Sequence, residues 1–139
     1  MDQGAIERIR SVPLFSDFGD KELQRVAAIA KEVEFPAGKV IAKQGESGVG
    51  FHMIADGEAT VSVDGVDHGT LGAGSYFGEI SLVDGGPRSA TVTAATDLKT
   101  VSLTSWDFSA LLDQFPELSR TLLAQLCRRL RAVERSISQ

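Results

Sequence analysis

The 139-residue sequence predicts an α+β domain with a barrel or sandwich of short strands at its centre. Three observations lead there. Twelve of the 14 glycines lie between Gly38 and Gly86, and both flanks are nearly free of them. Glycine at that density punctuates short strands with tight turns, because it alone enters positive φ without steric cost. The segments between the glycines are β-branched or alternating, and the flanks carry helical periodicity.

In chain order, residues 1–31 read as N-terminal helices. "GDKEL" puts acids in a first turn, and Leu23, Val26, Ala27 and Ala30 recur at helical spacing. Roughly eight short strands are expected over 32–103, among them "KVIA", "FHMIA", "ATVSV", "ATVTAA" and "KTVSL". Residues 104–139 return to helix. Thr104 and Asp107 form a cap-like pair ahead of "FSALLDQF", and Pro116 ends that helix because proline disfavours helix at the residue before it. Leu118, Leu122, Leu126, Leu130, Val133 and Ile137 then form one apolar stripe, with five arginines mostly off it. The stripe either packs back on the β core or pairs with a second copy of itself. No linker, low-complexity tract or internal repeat interrupts this order, so one domain is expected.

Composition excludes several function classes. A net charge of −5 argues against a chain whose main partner is nucleic acid. The single cysteine, Cys127, rules out an intramolecular disulfide framework and fits a reducing, cytoplasmic compartment; it reads as a core or interface thiol. No apolar run approaches the ~18 residues of a membrane span. The two histidines, His52 and His68, are too few and too far apart for a cupin-type metal site, so no metal or cofactor is expected. Trp106 reads as a packing residue.

The stretch "FGEISLVDGGPRSATV", residues 77–92, carries the chemistry. Its small residues suit a short helical turn whose free amides seat an anion, and Arg88 supplies a donor-rich cation suited to phosphate. Ser89 adds a hydroxyl. Glu79 can accept hydrogen bonds from a sugar hydroxyl, or pair with Arg88 and hold its fork. A phosphate and a ribose in one pocket make a nucleotide, and a single arginine suits a single negative charge. On residue types alone, a structural Glu–Arg pair is an equal reading.

This stretch resembles the phosphate-binding cassette of the cyclic nucleotide-binding domain family, which includes sensor domains of catabolite-activator-type regulators and protein kinase A regulatory subunits. The cassette reads F-G-E-(I/L)-(A/S)-L, a few residues, then P-R-x-A-T-V; Phe77 to Leu82, Pro87, Arg88 and Ala90 to Val92 match it. "FPAGKVIAKQGE", "FHMIADGEATV" and "LGAGSYFGE" are similar to the family's glycine-punctuated turns, so the likeness runs over about residues 12–135. It implies an eight-stranded β jelly-roll barrel over 32–103, flanked by N-terminal helices and by a C-terminal lid or dimerisation helix within 104–139. It implies that backbone amides around Gly78, Ile80 and Ser81 face a cyclic phosphate or ribose, that Glu79 accepts from the ribose 2′-OH, and that Arg88 pairs with the phosphate. Ser89 follows the arginine as in bacterial cAMP sensors and in cGMP-selective domains; cAMP is favoured, with cGMP open. "AQLCRRLRAVE" is similar to the start of the regulators' long helix, and Arg129 is the residue expected to lid the base. Where those regulators carry a Thr-Ser pair, this chain has Val133 and Glu134.

The implied function is a non-catalytic cyclic nucleotide sensor that transmits binding to its C-terminal helices. The alternative is a nucleotide-blind scaffold or dimerisation domain with the same fold. No base–nucleophile pair supports an enzyme. The helix-turn-helix domain that follows in the regulators is absent from these 139 residues, and no membrane segment is present.

Overall fold

The computed structural model describes residues 3–48 and 50–138. Glycine turns and β-branched runs condense into eight antiparallel strands: β1 (Lys31–Phe35), β2 (Val40–Ala42), β3 (Gly50–Asp56), β4 (Ala59–Val63), β5 (Val66–Leu71), β6 (Tyr76–Phe77), β7 (Thr91–Ala94) and β8 (Leu98–Thr104). Five helices accompany them: α1 (Gln3–Arg10), α2 (Asp20–Ile29), α3 (Glu79–Asp84), α4 (Ser105–Gln114) and α5 (Pro116–Ser138). A 3-10 turn, Pro13–Phe15, lies between α1 and α2.

The strands form two four-stranded sheets of jelly-roll type, ordered β1-β8-β3-β6 and β2-β7-β4-β5. Alternation along β8 aims Leu98 inward to join Ile54, Ala42, Ala59, Val92 and Ala94, with Phe35, Ile41, Val61, Leu71 and Phe77 closing around them. The β4–β5 hairpin turns on Asp64 and Gly65, both at positive φ (52° and 78°), which suits the right-handed twist of the strands. β3 is the strand that matters for the site. His52 faces Ser102 of β8 on one side and Phe77 of β6 on the other.

The chain divides into two compact units, Ile29–Ser109 and a helical unit of Met1–Ala28 with Ala110–Gln139. In the helical unit Ile9, Leu14, Phe15, Leu23, Val26, Leu118 and Leu122 are buried. Arg25 stacks over Phe115, 3.8 Å from the ring centroid, and donates to Glu117 at 2.8 Å. Arg128 pairs with Asp17. Pro116 opens α5, at a helix position where a missing N–H costs nothing. Thr104 caps α4 by accepting from the Asp107 amide at 3.2 Å.

Two expectations are corrected. Trp106 is 60% exposed, because Phe108, two residues on, takes the buried face of α4. Cys127 is exposed and so is no core thiol. The stripe on α5 divides: Leu118 and Leu122 are buried, while Leu130, Val133 and Ile137 face solvent together with Leu123.

Candidate functional site

Residues 77–92 leave β6 and turn at once. Gly78 adopts φ 87° and caps α3, whose far end is Gly85 at φ 65°. Six residues of helix therefore hang between two left-handed glycines. The loop beyond is stitched to residues 45–48 by backbone bonds: the Arg88 amide to the Glu46 carbonyl (2.9 Å), the Gly45 amide to the Arg88 carbonyl (2.9 Å), and the Gly48 amide to the Gly86 carbonyl (3.3 Å). Within the loop, the Ser81 hydroxyl is drawn to the Gly86 carbonyl at 3.4 Å.

A cavity of about 250 Å³ opens over this loop. Gly78, Glu79, Ile80, Ser81, Arg88 and Ser89 all line it, and Ala42, Phe77 and Val92 supply an apolar wall. Ser89 and Ile80 are exposed; Ser81 is buried. First-turn amides of a helix lack intrahelical partners, so α3 brings free donors to the same wall as the arginine.

Arg88 is half-buried. Its side chain threads a slot bounded by three glycines. A β-carbon on Gly48 would stand 2.0 Å from Nε, and one on Gly78 would stand 2.4 Å from Nη1. Nη2 donates to the Gly50 carbonyl at 2.5 Å. Nη1 is buried with no hydrogen-bond partner among the described residues. Partial burial pushes the guanidinium pKa down from its ordinary value. A half-buried guanidinium with one unpartnered nitrogen is a seat for an anionic oxygen.

Glu79 lines the same cavity but makes no ion pair with Arg88 among the described residues. Of the two roles open to it in sequence, the structure does not make the fork-holding one; the Gly50 carbonyl holds the fork instead. Arg129 stands on α5 in the helical unit, and its Nη1 is also buried with no partner among the described residues.

Three features escaped the sequence reading. Gly48 and Gly50 are not at positive φ, so they supply room rather than a turn. The signal for them was an excess of glycine, at 45, 48 and 50, over what one turn needs. The third is His52, met edge-on by Phe35 (ring centroids 5.7 Å apart) and at a tilt of 36° by Phe77 (5.1 Å). Its Nδ1 lies 2.7 Å from the Ser102 hydroxyl, which lies 2.8 Å from the Thr100 hydroxyl. Thr100 reaches the Val33 carbonyl at 3.3 Å. Burial, and then the charge of Arg88, lower the His52 pKa to about 4.

Among the described residues no His, Cys, Asp and Glu cluster could hold a metal ion, and no helix is long and apolar enough to cross a membrane. The family model described as "Cyclic nucleotide-binding domain" matches residues 32–115. A cyclic nucleotide-gated potassium channel of Rhizobium etli is 40% identical over 82% of this chain and 32% of its own length. The cyclic AMP receptor protein of Thermus thermophilus is 31% identical over 91% of this chain and 61% of its own. The chain thus spans about a third of the channel and three-fifths of the receptor. Among solved structures, the N-terminal domain of a transcriptional regulator from Streptomyces coelicolor superposes with a TM-score of 0.83 at 30% identity, covering 93% of each chain.

Proposed function

The chain belongs to the cyclic nucleotide-binding domain family, and from that premise we propose that it is a non-catalytic sensor of a cyclic nucleotide, with cAMP as the ligand. The observation that carries the reading is the slot of Arg88: a half-buried guanidinium, held by the Gly50 carbonyl, with Nη1 unpartnered, on a residue that lines the same cavity as Glu79. In this reading Nη1 receives an oxygen of the cyclic phosphate, and the amides of the first turn of α3 add donors to the phosphate or ribose. Glu79, not engaged by Arg88, accepts from the ribose 2′-OH. Ser89, which lines the cavity, meets the base or phosphate in this reading. The receptor protein of Thermus thermophilus carries cyclic AMP in its name, which supports that choice over cGMP.

Transmission follows from differential affinity: a ligand shifts a conformational equilibrium only as far as it binds the two states differently. Here the segment that responds is 104–139, with Arg129 as the residue that covers the base. Its exposed seam of Leu123, Leu130, Val133 and Ile137, with the half-buried Leu126 among them, repeats in steps of three and four; this suits pairing with a second copy of α5. That seam also favours a second reading, a dimerisation domain that ignores nucleotide. No base–nucleophile pair or metal cluster among the described residues argues for ring cleavage.

Calorimetric titration with cAMP and with cGMP separates the readings. Heat with cAMP supports the sensor; silence from both nucleotides at high concentration favours the scaffold. Arg88→Ala is expected to weaken binding by ~2–4 kcal/mol, the cost of stripping one partner from a buried charge-assisted contact. Formation of 5′-AMP on incubation with cAMP would revive an enzyme.

A further inference from the structure

Behind Arg88 lies a second titratable group that the cassette does not contain. His52 comes from β3, and its ring is fixed on three sides, by Phe35, by Phe77 and by Ser102. The hydroxyl chain settles its tautomer. Thr100 has one proton, and its bond to the Val33 carbonyl uses it. Thr100 must then accept from Ser102, and Ser102 must accept from His52 Nδ1–H. All three bonds exist together only if Nδ1 carries the proton and Nε2 carries the lone pair.

That lone pair lies on the arginine's side. The position of a β-carbon on Gly50 is 3.1 Å from His52 Nε2 and 3.9 Å from Arg88 Nη2, so both nitrogens border the same small volume. Lys31, Glu32 and Glu34 on β1, Asp56 at the end of β3 and Lys99 on β8 are exposed, β6 carries no charged residue, and Arg88 is the charge that acts on the ring.

We propose that His52 is a positioning residue of the anion site, a neutral acceptor behind Arg88 that takes up a proton when an anion is seated on Arg88. The inference rests on the sensor reading for the identity of that anion. The proton comes from solvent and lands on Nε2, giving an imidazolium that keeps its Nδ1–H bond to Ser102; no other bond changes. Two cations side by side are unfavourable, but two cations around one phosphodiester are not. Ligand binding is therefore proton-linked, and affinity rises as pH falls.

The chain has only two histidines, and His68 on β5 is exposed, so its ring proton signal serves as an internal reference. In the ligand-free protein, NMR titration should find His52 titrating near 4, and Arg88→Gln should move that midpoint up. Adding cAMP to the wild-type protein should also raise the His52 midpoint. Calorimetry in buffers of different ionisation enthalpy should register proton uptake on binding, with affinity rising about three- to tenfold between pH 7.5 and 5. His52→Gln should show neither the uptake nor the rise, its affinity holding level between pH 7.5 and 5. Binding with equal pH response in wild type and His52→Gln overturns this inference and leaves the sensor intact. So does a His52 midpoint indifferent to Arg88→Gln. Absence of any binding, at any pH and by either protein, removes the sensor reading and the ligand-linked part of this one together.

Discussion

Gly48→Ala is a one-carbon change aimed at the slot and at nothing else. The new β-carbon would stand 2.0 Å from Arg88 Nε, 2.4 Å from Cζ and 2.5 Å from Cδ, so the guanidinium must leave. Gly48 is not at positive φ, so its backbone accepts alanine without strain, and the fold should persist. In the ligand-free protein the loss of the Nη2–Gly50 bond is offset by rehydration of an evicted cation. Melting should therefore shift by no more than the equivalent of ~1 kcal/mol. Ligand affinity has no such compensation. It should fall by ~2–4 kcal/mol, roughly 30- to 1,000-fold, comparable to removing Arg88 itself. Titration calorimetry with cAMP on Gly48→Ala, Arg88→Ala and the double variant makes the decisive cycle. Once the guanidinium is gone, adding Gly48→Ala should cost less than ~0.5 kcal/mol more. Wild-type affinity in Gly48→Ala, or costs that simply add, would refute the slot as the means of placing Arg88.

Three further outcomes are expected. His52 is held near pKa 4 in the fold against an ordinary 6.5. The unfolded chain binds the extra proton first, so stability present above about 6.5 is lost as pH falls toward 4, by roughly 3 kcal/mol, and His52→Gln should flatten that slope in urea melts at stepped pH. Leu130→Lys, on the exposed seam of α5, should leave the melting temperature within a few degrees of wild type, and, with the seam pairing two copies as proposed, should sediment as a monomer where wild type sediments as a dimer. Leu103→Ala, at a side chain 2% exposed in β8, should cost ~2–5 kcal/mol in chemical denaturation.

Legibility followed contiguity. The barrel was readable because its turns are glycines and its strands are β-branched, both local signals. Even β6, two residues long, is implied by the cassette that follows it. The cassette was readable because Gly78, Glu79, Ser81 and Arg88 lie within eleven consecutive residues of one motif. What was not readable depends on partners distant in sequence. Nothing local to His52 announces Ser102, Thr100 and Val33, whose strands close on β3 only in the folded sheet. Nothing local to Gly48 announces that its missing side chain is the space Arg88 occupies. On α4 the choice between Trp106 and Phe108 for the buried face turned on phase, which two aromatics two residues apart leave ambiguous. The same ambiguity of phase, at the division of the α5 stripe, left the core alternative for Cys127 open.

The backbone ties between residues 45–48 and 86–88 have a kinetic corollary. A synthetic peptide of residues 77–92 would hold every chemically notable group and still lack a binding seat, since the walls of the slot arrive from forty residues upstream. Closing that long chain segment is an entropic toll that local structure cannot reward early. Competence to recognise a ligand should thus emerge late during folding, after the two loops have met, and refolding experiments should find secondary structure well ahead of it.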